Sequence, residues 1–575
     1  MTTETLLDRW GAGWRGPLLA AVLALVAALP GAVGLPPLDR DVSRFAEASA
    51  QMLETGDFVT IHFQDTPRFK KPVGIYWLQA AAVQILSHVE SRAIWAYRVP
   101  SLLGGMLAAA ACAWGAAAFL RPGAALIAGG LLATSFMLST EAAIAATDAA
   151  LCGATTLAMA ALGRLYLAER GGPAAGRLTR LLFWLALAAT VMLKGPIGPM
   201  IVFLAALSLC LWDRRCAWLT RLGWGWGGVI LAAVIGPWAL AITVATDGAF
   251  WGAALGGDLG PKLVGRAEGH GAPPGFYLLL APLLLFPACL LAPACAVAAW
   301  RARTEPAVRL ALCWLIPSWL VFEAAPTKLI HYTLPLYGAL AWLMARSLES
   351  GSPATDDPGV DRGRVAEGPI VRGLGVGVTV LVAAAFAGAG FWAMARLGDA
   401  SGAAWAVIAA ALFLAAGVGG GALLWRRRPA AACVAAAALA ALGHGALAGG
   451  LAPALHPLWL SSAADRALGA VGASPWQGVT PGPVTVAGYA EPSLVFLLGA
   501  DTELGDADDA SAAIAAGRPA IVARSEEAAF HAALIARGAV AVPIGRVSGL
   551  DYSRGRRETL GLYRSPPPAR PRRRS

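Results

Sequence analysis

The chain has 575 residues, of which 57% are hydrophobic and only 14% charged, with a mean hydropathy of +0.61. Soluble proteins carry about 25% charged residues, so this composition excludes an ordinary soluble domain and implies a polytopic membrane protein. The net charge is +10, yet lysine supplies only five of the 45 basic residues, and nothing points to nucleic acid.

The first apolar run, 16–36, is too long for a signal-peptide core and reads as a retained span. A charged loop, 37–97, follows, with Asp39, Arg40, Asp41, Arg44, Glu47, Glu54, Asp57, His62, Asp65, Arg68, Lys70 and Lys71 in its first half. Within it, 73–88 is apolar but short, begins beside Pro72 and Gly74, and is interrupted by Gln79, Gln84 and His88. That pattern predicts a helix lying at the membrane interface. Further runs of spanning length fall at 98–119, 123–140, 147–168, 181–193, 196–212, 222–246, 275–300, 307–323, 329–346, 370–396, 402–425 and 430–452, giving thirteen expected spans.

Arginine clusters mark the cytoplasmic side. They occur at Arg121, Arg164–Arg180, Arg214–Arg221, Arg301–Arg309, Arg346–Arg372 and Arg426–Arg428. With 73–88 left out of the count, all six fall on the side of the N-terminus. This parity puts 37–97, 140–147, 194–196, 247–274, 324–328 and everything after 453 on the opposite face.

Residues 349–369 read as a polar cytoplasmic linker, and 370–452 as Ala- and Gly-rich helices that permit close contact. After 453 short strands and helices alternate. Strands are expected at Val484–Ala487, Pro519–Arg524 and Ala539–Ile544, helices at Asp506–Ala516 and Glu526–Arg537, and either at Ser493–Gly499. This predicts a small α/β domain over 453–565, ahead of a disordered basic tail, 566–575. The eight cysteines lie in or beside apolar runs without metal-site spacing.

Asp41 lies a few residues beyond the first span, where reduced dielectric lets neighbours tune a carboxylate. It could take a proton from a hydroxyl or balance a cation; the structural alternative is an N-cap for a helix starting near Ser43. Asp39 is its competitor. Asp148 is the only acid in the apolar stretch 142–168, costly unless capped, paired or functional. All five lysines, Lys70, Lys71, Lys194, Lys262 and Lys328, fall in segments assigned to the non-cytoplasmic face, the reverse of the usual bias. Compact ammonium groups suit phosphate, so an anionic headgroup is expected there. Lys194 sits in Leu-Lys-Gly-Pro, a break between two runs of the kind that lines cavities. His270, in Glu-Gly-His-Gly, is the one candidate metal ligand, and no metal-binding motif surrounds it.

Several blocks resemble a known family. They are Leu-Asp-Arg-Asp41-Val-Ser-Arg44, then Pro-Arg68-Phe-Lys70-Lys71-Pro-Val-Gly-Ile-Tyr-Trp-Leu, Arg98-Val-Pro-Ser, Thr-Asp148-Ala, Leu-Lys194-Gly-Pro and Lys328-Leu-Ile-His-Tyr332-Thr-Leu-Pro. In that order, over roughly 35–345, they are similar to bacterial polyprenyl-phosphate-sugar-dependent glycosyltransferases, the relatives of lipid A aminoarabinose transferases and protein O-mannosyltransferases. The resemblance implies a C-type glycosyltransferase fold, with 1–348 as a catalytic transmembrane domain in a bacterial inner membrane and the active site on the periplasmic face. It implies Asp41 as principal catalytic carboxylate, Asp148 as its partner, and Arg44 and Lys71 on the lipid phosphate; Arg68, Lys70, Lys194, Lys328 and Tyr332 join them as substrate-binding candidates. The donor would be a polyprenyl-phosphate sugar, and the acceptor a lipid A-like glycolipid or a protein. The chain departs from the family at Val42 and at Lys70, where relatives often carry acids. Some relatives use the acid at the Lys70 position with a loop histidine to hold a metal, so a divalent metal at His270 is the one cofactor left open. The rival expectation is a transporter or flippase for a lipid-linked or anionic substrate, which should show two similar halves; none is visible.

Overall fold

The computed structural model describes residues 2–259, 271–349, 368–477 and 482–566. Among them, eight helices are long and apolar enough to cross a membrane, and two bent helix pairs raise the number to ten. The protein is a polytopic helical membrane protein; among the described residues, the helices that meet this measure of length and composition number fewer than the thirteen runs. The difference lies in how runs are broken. Run 123–140 folds as α6 (Pro122–Ala133) and α7 (Phe136–Ala142), bent by 61°, and run 275–300 is bent by 112° between Leu284 and Ala288. Run 329–346 begins as loop and a short helical turn at Leu334–Leu336, which leaves a helix of only 10 residues at Tyr337–Arg346. An apolar run measures greasiness, not straightness: Pro287 and Pro335 lie at two of these breaks, and Thr134–Ser135 at the third.

The N-terminal helix α1 (Thr3–Gly11) leads to α2 (Arg15–Gly34), the first span. Its C-terminal carbonyls are gathered by one side chain on α5 (Ile94–Ala116). The guanidinium of Arg98, fully buried, donates to the carbonyl oxygens of Ala32, Leu35 and Pro36 at 3.1, 2.5 and 2.7 Å. A cation on the last carbonyls also meets the negative end of the helix dipole. This contact fixes where the chain leaves the span and enters the charged loop.

The loop folds as α3 (Asp41–Thr55), a two-residue hairpin pair β1 (His62–Phe63) and β2 (Thr66–Pro67), and α4 (Gly74–Leu86). The last coincides with the interfacial helix expected at 73–88. Phe45, Ile75, Tyr76, Met192, Trp238 and Phe250 form one buried cluster that binds α3 and α4 to α9 (Arg177–Lys194) and α11 (Trp224–Ala245). Beneath them α5 and α8 (Asp148–Ala168) cross at glycine: a Cβ on Gly104 would lie 2.4 Å from the Ala150 Cα, and one on Gly153 2.5 Å from the Gly104 carbonyl oxygen. Small residues thus let the backbones touch and bring the first turn of α8 under the loop.

After helix Leu460–Ala470 the chain forms an α/β unit with a five-stranded sheet in the order β4-β3-β5-β7-β6. Here β3 is Thr485–Ala487, β4 Glu503–Gly505, β5 Ala520–Ala523, β6 Val542–Asp551 and β7 Arg556–Arg564. The first three strands pair in parallel, and β7 runs antiparallel to both β5 and β6. The segment Ser493–Gly499 is helical (Pro492–Leu498), and the strand expected at 539–544 starts later and runs to Asp551. The expected linker 349–369 and basic tail 566–575 fall largely outside the described residues.

Candidate functional site

Asp41 is the first residue of α3, and the preceding Arg40 stands at the cap position with φ 62°. The carboxylate does not cap the helix. It accepts from the Arg68 guanidinium at 3.0 Å and has Arg44, one turn on, at 3.7 Å. Its side chain is 60% exposed, whereas Arg68 is buried at 8%. Burial pulls the Asp41 carboxyl up, but the nearby Lys71 ammonium and the two guanidiniums outweigh it and hold it at about 2. Asp41 is therefore ionised at any physiological pH.

Asp148 occupies the matching position, the first residue of α8, and likewise does not cap. Its carboxylate accepts from the Lys194 ammonium at 2.5 Å and from the Thr147 hydroxyl at 3.3 Å. Lys194 is the last residue of α9; Gly195, at φ 63°, and Pro196 then turn the chain into α10 (Ile197–Asp213). The Leu-Lys-Gly-Pro break thus delivers an ammonium into a cavity. Lys71 lies between the two carboxylates and feels both, with its ammonium 4.4 Å from the Phe45 ring. Burial and the like charge of Lys194 push Lys71 down to about 8.

Two further residues complete the cluster. The His331 imidazole stands 3.5 Å from Glu141 through Nδ1 and 3.7 Å from Asp148 through Nε2. Glu141 is buried, and its Oε2 has no hydrogen-bond partner. Neither was singled out from the sequence. Glu141 carried a usable signal, an acid at the end of an apolar run, but sits one residue outside the stretch in which Asp148 stood alone.

The cations face a cavity of about 220 Å³, open to the surface. Lys70, Lys71, Asp148, Lys194, Thr327 and Tyr332 give it one polar end; Leu151, Ile197, Met200, Phe250, Trp251, Val321 and Phe322 line the rest. The Lys194 ammonium is 5.2 Å from the Tyr332 ring centre. Such a space accepts a ligand with an anionic head and an apolar tail. Lys328 is not on it: its ammonium donates to the Ala272 and Ala325 carbonyls at 2.9 and 2.7 Å and ties two loops together. Asp39 is turned away too, accepting from the Ser493 hydroxyl of the α/β unit. His270 and Lys262 lie outside the described residues. Among the described residues, Glu141, Asp148 and His331 form the one group of metal-type donors within mutual reach, 4.8 Å. The Lys194 ammonium already supplies a cation to Asp148, so these residues fit a metal poorly.

Residues 37–249 match the model of the dolichyl-phosphate-mannose-protein mannosyltransferase family. Similar curated proteins are the undecaprenyl phosphate-alpha-4-amino-4-deoxy-L-arabinose arabinosyl transferases of Pseudomonas paraeruginosa, 29% identical over 60% of this chain and 60% of that one, and of Pectobacterium carotovorum, 29% identical over 55% and 56%. The chain thus spans about 60% of the length of the curated relatives it matches. In structure it is similar to ArnT from Cupriavidus metallidurans in the apo state (TM-score 0.70, 21% identity, 95% of this chain and 96% of that one). ArnT from Cupriavidus metallidurans bound to undecaprenyl phosphate gives TM-score 0.71 at 19% identity over 94% and 96%. The resemblance read from the sequence stands: the chain is similar to polyprenyl-phosphate-sugar-dependent glycosyltransferases, and its fold is the C-type glycosyltransferase fold.

Proposed function

We propose that this chain is an integral membrane glycosyltransferase that moves a sugar from a polyprenyl-phosphate donor to an acceptor at the periplasmic face of a bacterial inner membrane. One observation supports this above all: Lys71 and Lys194 stand at the polar end of an apolar-walled cavity, with Asp41 and Asp148 beside them. The polyprenyl tail would lie along Ile197, Met200, Phe250, Trp251 and Phe322, and the phosphate would meet the two ammonium groups.

The mechanism follows from the charges. The donor is already activated, because its phosphate is a good leaving group. The bond from the anomeric carbon to the phosphate oxygen breaks, and charge collects on that oxygen. Lys71, Lys194 and Arg44 stabilise it where preorganised charge counts most. In the resting site Lys71, Arg68 and Arg44 hold Asp41 near 2, too low for an effective base. The donor's phosphodiester, a monoanion, cancels part of that field, so Asp41 becomes more basic as the donor arrives. It then accepts the proton of the attacking acceptor hydroxyl. Asp148 keeps the Lys194 ammonium aimed at the phosphate.

Undecaprenyl phosphate carrying 4-amino-4-deoxy-L-arabinose is the first donor to test, and a lipid A-like glycolipid or a protein the acceptor class. The experiment is consumption of defined undecaprenyl-phosphate sugars by the purified protein in liposomes with extracted envelope acceptors. Transfer of a sugar to a glycolipid or protein is expected; donor moved across the bilayer without cleavage would favour a transporter and overturn the reading.

A further inference from the structure

The α/β unit reaches the charged loop at two places, and both are next to site residues. At the first, the Asp39 backbone N–H donates to the Tyr552 hydroxyl at 2.7 Å. The Ser493 hydroxyl donates to the Asp39 carboxylate, and the Arg40 guanidinium to the Ser553 carbonyl. Tyr552 and Ser553 lie in the turn between β6 and β7, and Ser493 lies in the first turn of helix Pro492–Leu498. At the second place, the Gln64 side-chain amide donates to the carbonyls of Ala500 and Thr502 at 3.1 and 2.6 Å. Gln64 is in the turn between β1 and β2, immediately ahead of Arg68, Lys70 and Lys71. Between the two places, Arg92 lies over the rings of Trp476 and Phe496, and Phe496 packs edge-on to Tyr97 at 5.2 Å.

Arg40 holds the key geometry. Its backbone, at φ 62° and ψ −129°, occupies a region that a side-chain-bearing residue avoids, at a cost of about 1–3 kcal/mol. Such a conformation persists only where its surroundings impose it. The groups that flank it, Asp39 N–H and carboxylate on one side and the Arg40 guanidinium on the other, are all bound to the α/β unit. Asp41 is the next residue, so the peptide that this unit holds decides where the Asp41 carboxylate points.

We propose that the α/β unit is a positioning element for the active-site loop, in which Tyr552, Ser553 and Ser493 hold Asp39–Arg40 so that Asp41 faces Arg68 and Lys71, while the Ala500 and Thr502 carbonyls hold the hairpin turn that leads into Arg68, Lys70 and Lys71. The proposal rests on the glycosyltransferase reading for its kinetic consequence, not for its structural one. The unit touches neither donor nor cavity; it fixes the separation of base and phosphate-binding cations. Misplacement by about 1 Å is enough to cost up to about a hundredfold in rate.

Tyr552→Phe is the test, with Ser493→Ala as the second variant, each in the full chain. Tyr552→Phe keeps the ring and removes only the hydroxyl. It should lower kcat about tenfold and leave the donor KM within about twofold, because Lys71 and Lys194 are untouched. Hydrogen exchange should quicken at Asp39, Arg40 and Asp41, with the unfolding temperature unchanged. If the protein transfers no sugar at all, the glycosyltransferase reading fails, and the exchange measurement still tests the proposal. Exchange at 39–41 unchanged in both variants overturns it, as does a kcat within about twofold of the parent in both. A loss that tracks a lowered unfolding temperature, with no local change in exchange, overturns it as well.

Discussion

Replacing Asp41 by Asn separates the two things a carboxylate does here. Asn keeps the size, and its amide oxygen can still accept from Arg68, so the buried guanidinium is not orphaned. A charge-assisted hydrogen bond becomes a neutral one, a change of about 1 kcal/mol in stability. Turnover should suffer far more. Asn can neither carry the negative charge nor receive a proton, and loss of general-base assistance costs about 10²- to 10⁴-fold. Donor binding should move the other way. Asp41 now neutralises part of the charge of Lys71, Arg68 and Arg44, and removing it leaves a stronger positive field for phosphate. Two unit charges about 4 Å apart interact by about 4 kcal/mol at a near-surface dielectric. Screening at a half-exposed site reduces this to about 1 kcal/mol, a gain of about fivefold in affinity. The assay is turnover of a lipid-linked sugar, beside binding of undecaprenyl phosphate by native mass spectrometry. Asp41→Asn that turns over normally, or that binds the lipid phosphate more weakly than the parent, refutes the reasoning.

Other expectations follow from the same geometry. Lys71→Ala should weaken undecaprenyl phosphate binding about 10- to 150-fold, since a charge-assisted contact is worth about 1.5–3 kcal/mol, whereas Arg427→Ala, in an exposed arginine cluster that does not line the cavity, should leave it unchanged. Lys194→Met removes one partner of the buried pair with Asp148 and should destabilise the protein by about 3 kcal/mol, read as a lower unfolding temperature, with Asp148→Asn in the same chain recovering part of it. For topology, a membrane-impermeant thiol reagent on intact spheroplasts should label Asp65→Cys and spare the exposed native Cys216 until lysis; the converse would invert the assigned faces. Glu491 gives a pH signature: burial and the Asp39 carboxylate push it up to about 7 from 4.5. The folded chain therefore holds this proton to higher pH than the unfolded one, and stability should fall as pH rises from about 4.5 to about 7. Glu491→Gln should flatten that slope in thermal melts.

Much of the site was legible because charge in a greasy chain is conspicuous. Asp148 and Lys194 stand out against apolar neighbours, Asp41 and Lys71 belong to the one long charged loop, and each reaches the cluster. Lys328 stood out equally and has gone to two backbone carbonyls instead; sequence cannot tell an ammonium that meets a ligand from one that clips a loop. The strand β7 was missed because Arg556, Arg557 and Glu558 hide the alternation behind a charged start. The contacts of Asp39 and Gln64 with the α/β unit join residues more than 430 apart in sequence, and no local pattern encodes them.

The two carboxylates look alike in sequence and do different work in space. Both begin a helix, where the dipole favours negative charge, and both meet a cation. The Asp148 side chain is 7% exposed and its ammonium partner 15%, in direct contact. A pair taken out of water is expensive to separate, so Lys194 stays put and is ready for phosphate without reorganising. The Asp41 side chain is 60% exposed and shares its charge among Arg68, Arg44 and Lys71 rather than committing to one. A carboxylate with divided partners can release them when a phosphate arrives and turn to a hydroxyl. In the proposed reaction, rigidity would therefore sit on the side that binds phosphate, and freedom on the side that moves a proton. The burial of the two groups, more than their identity, would assign those roles.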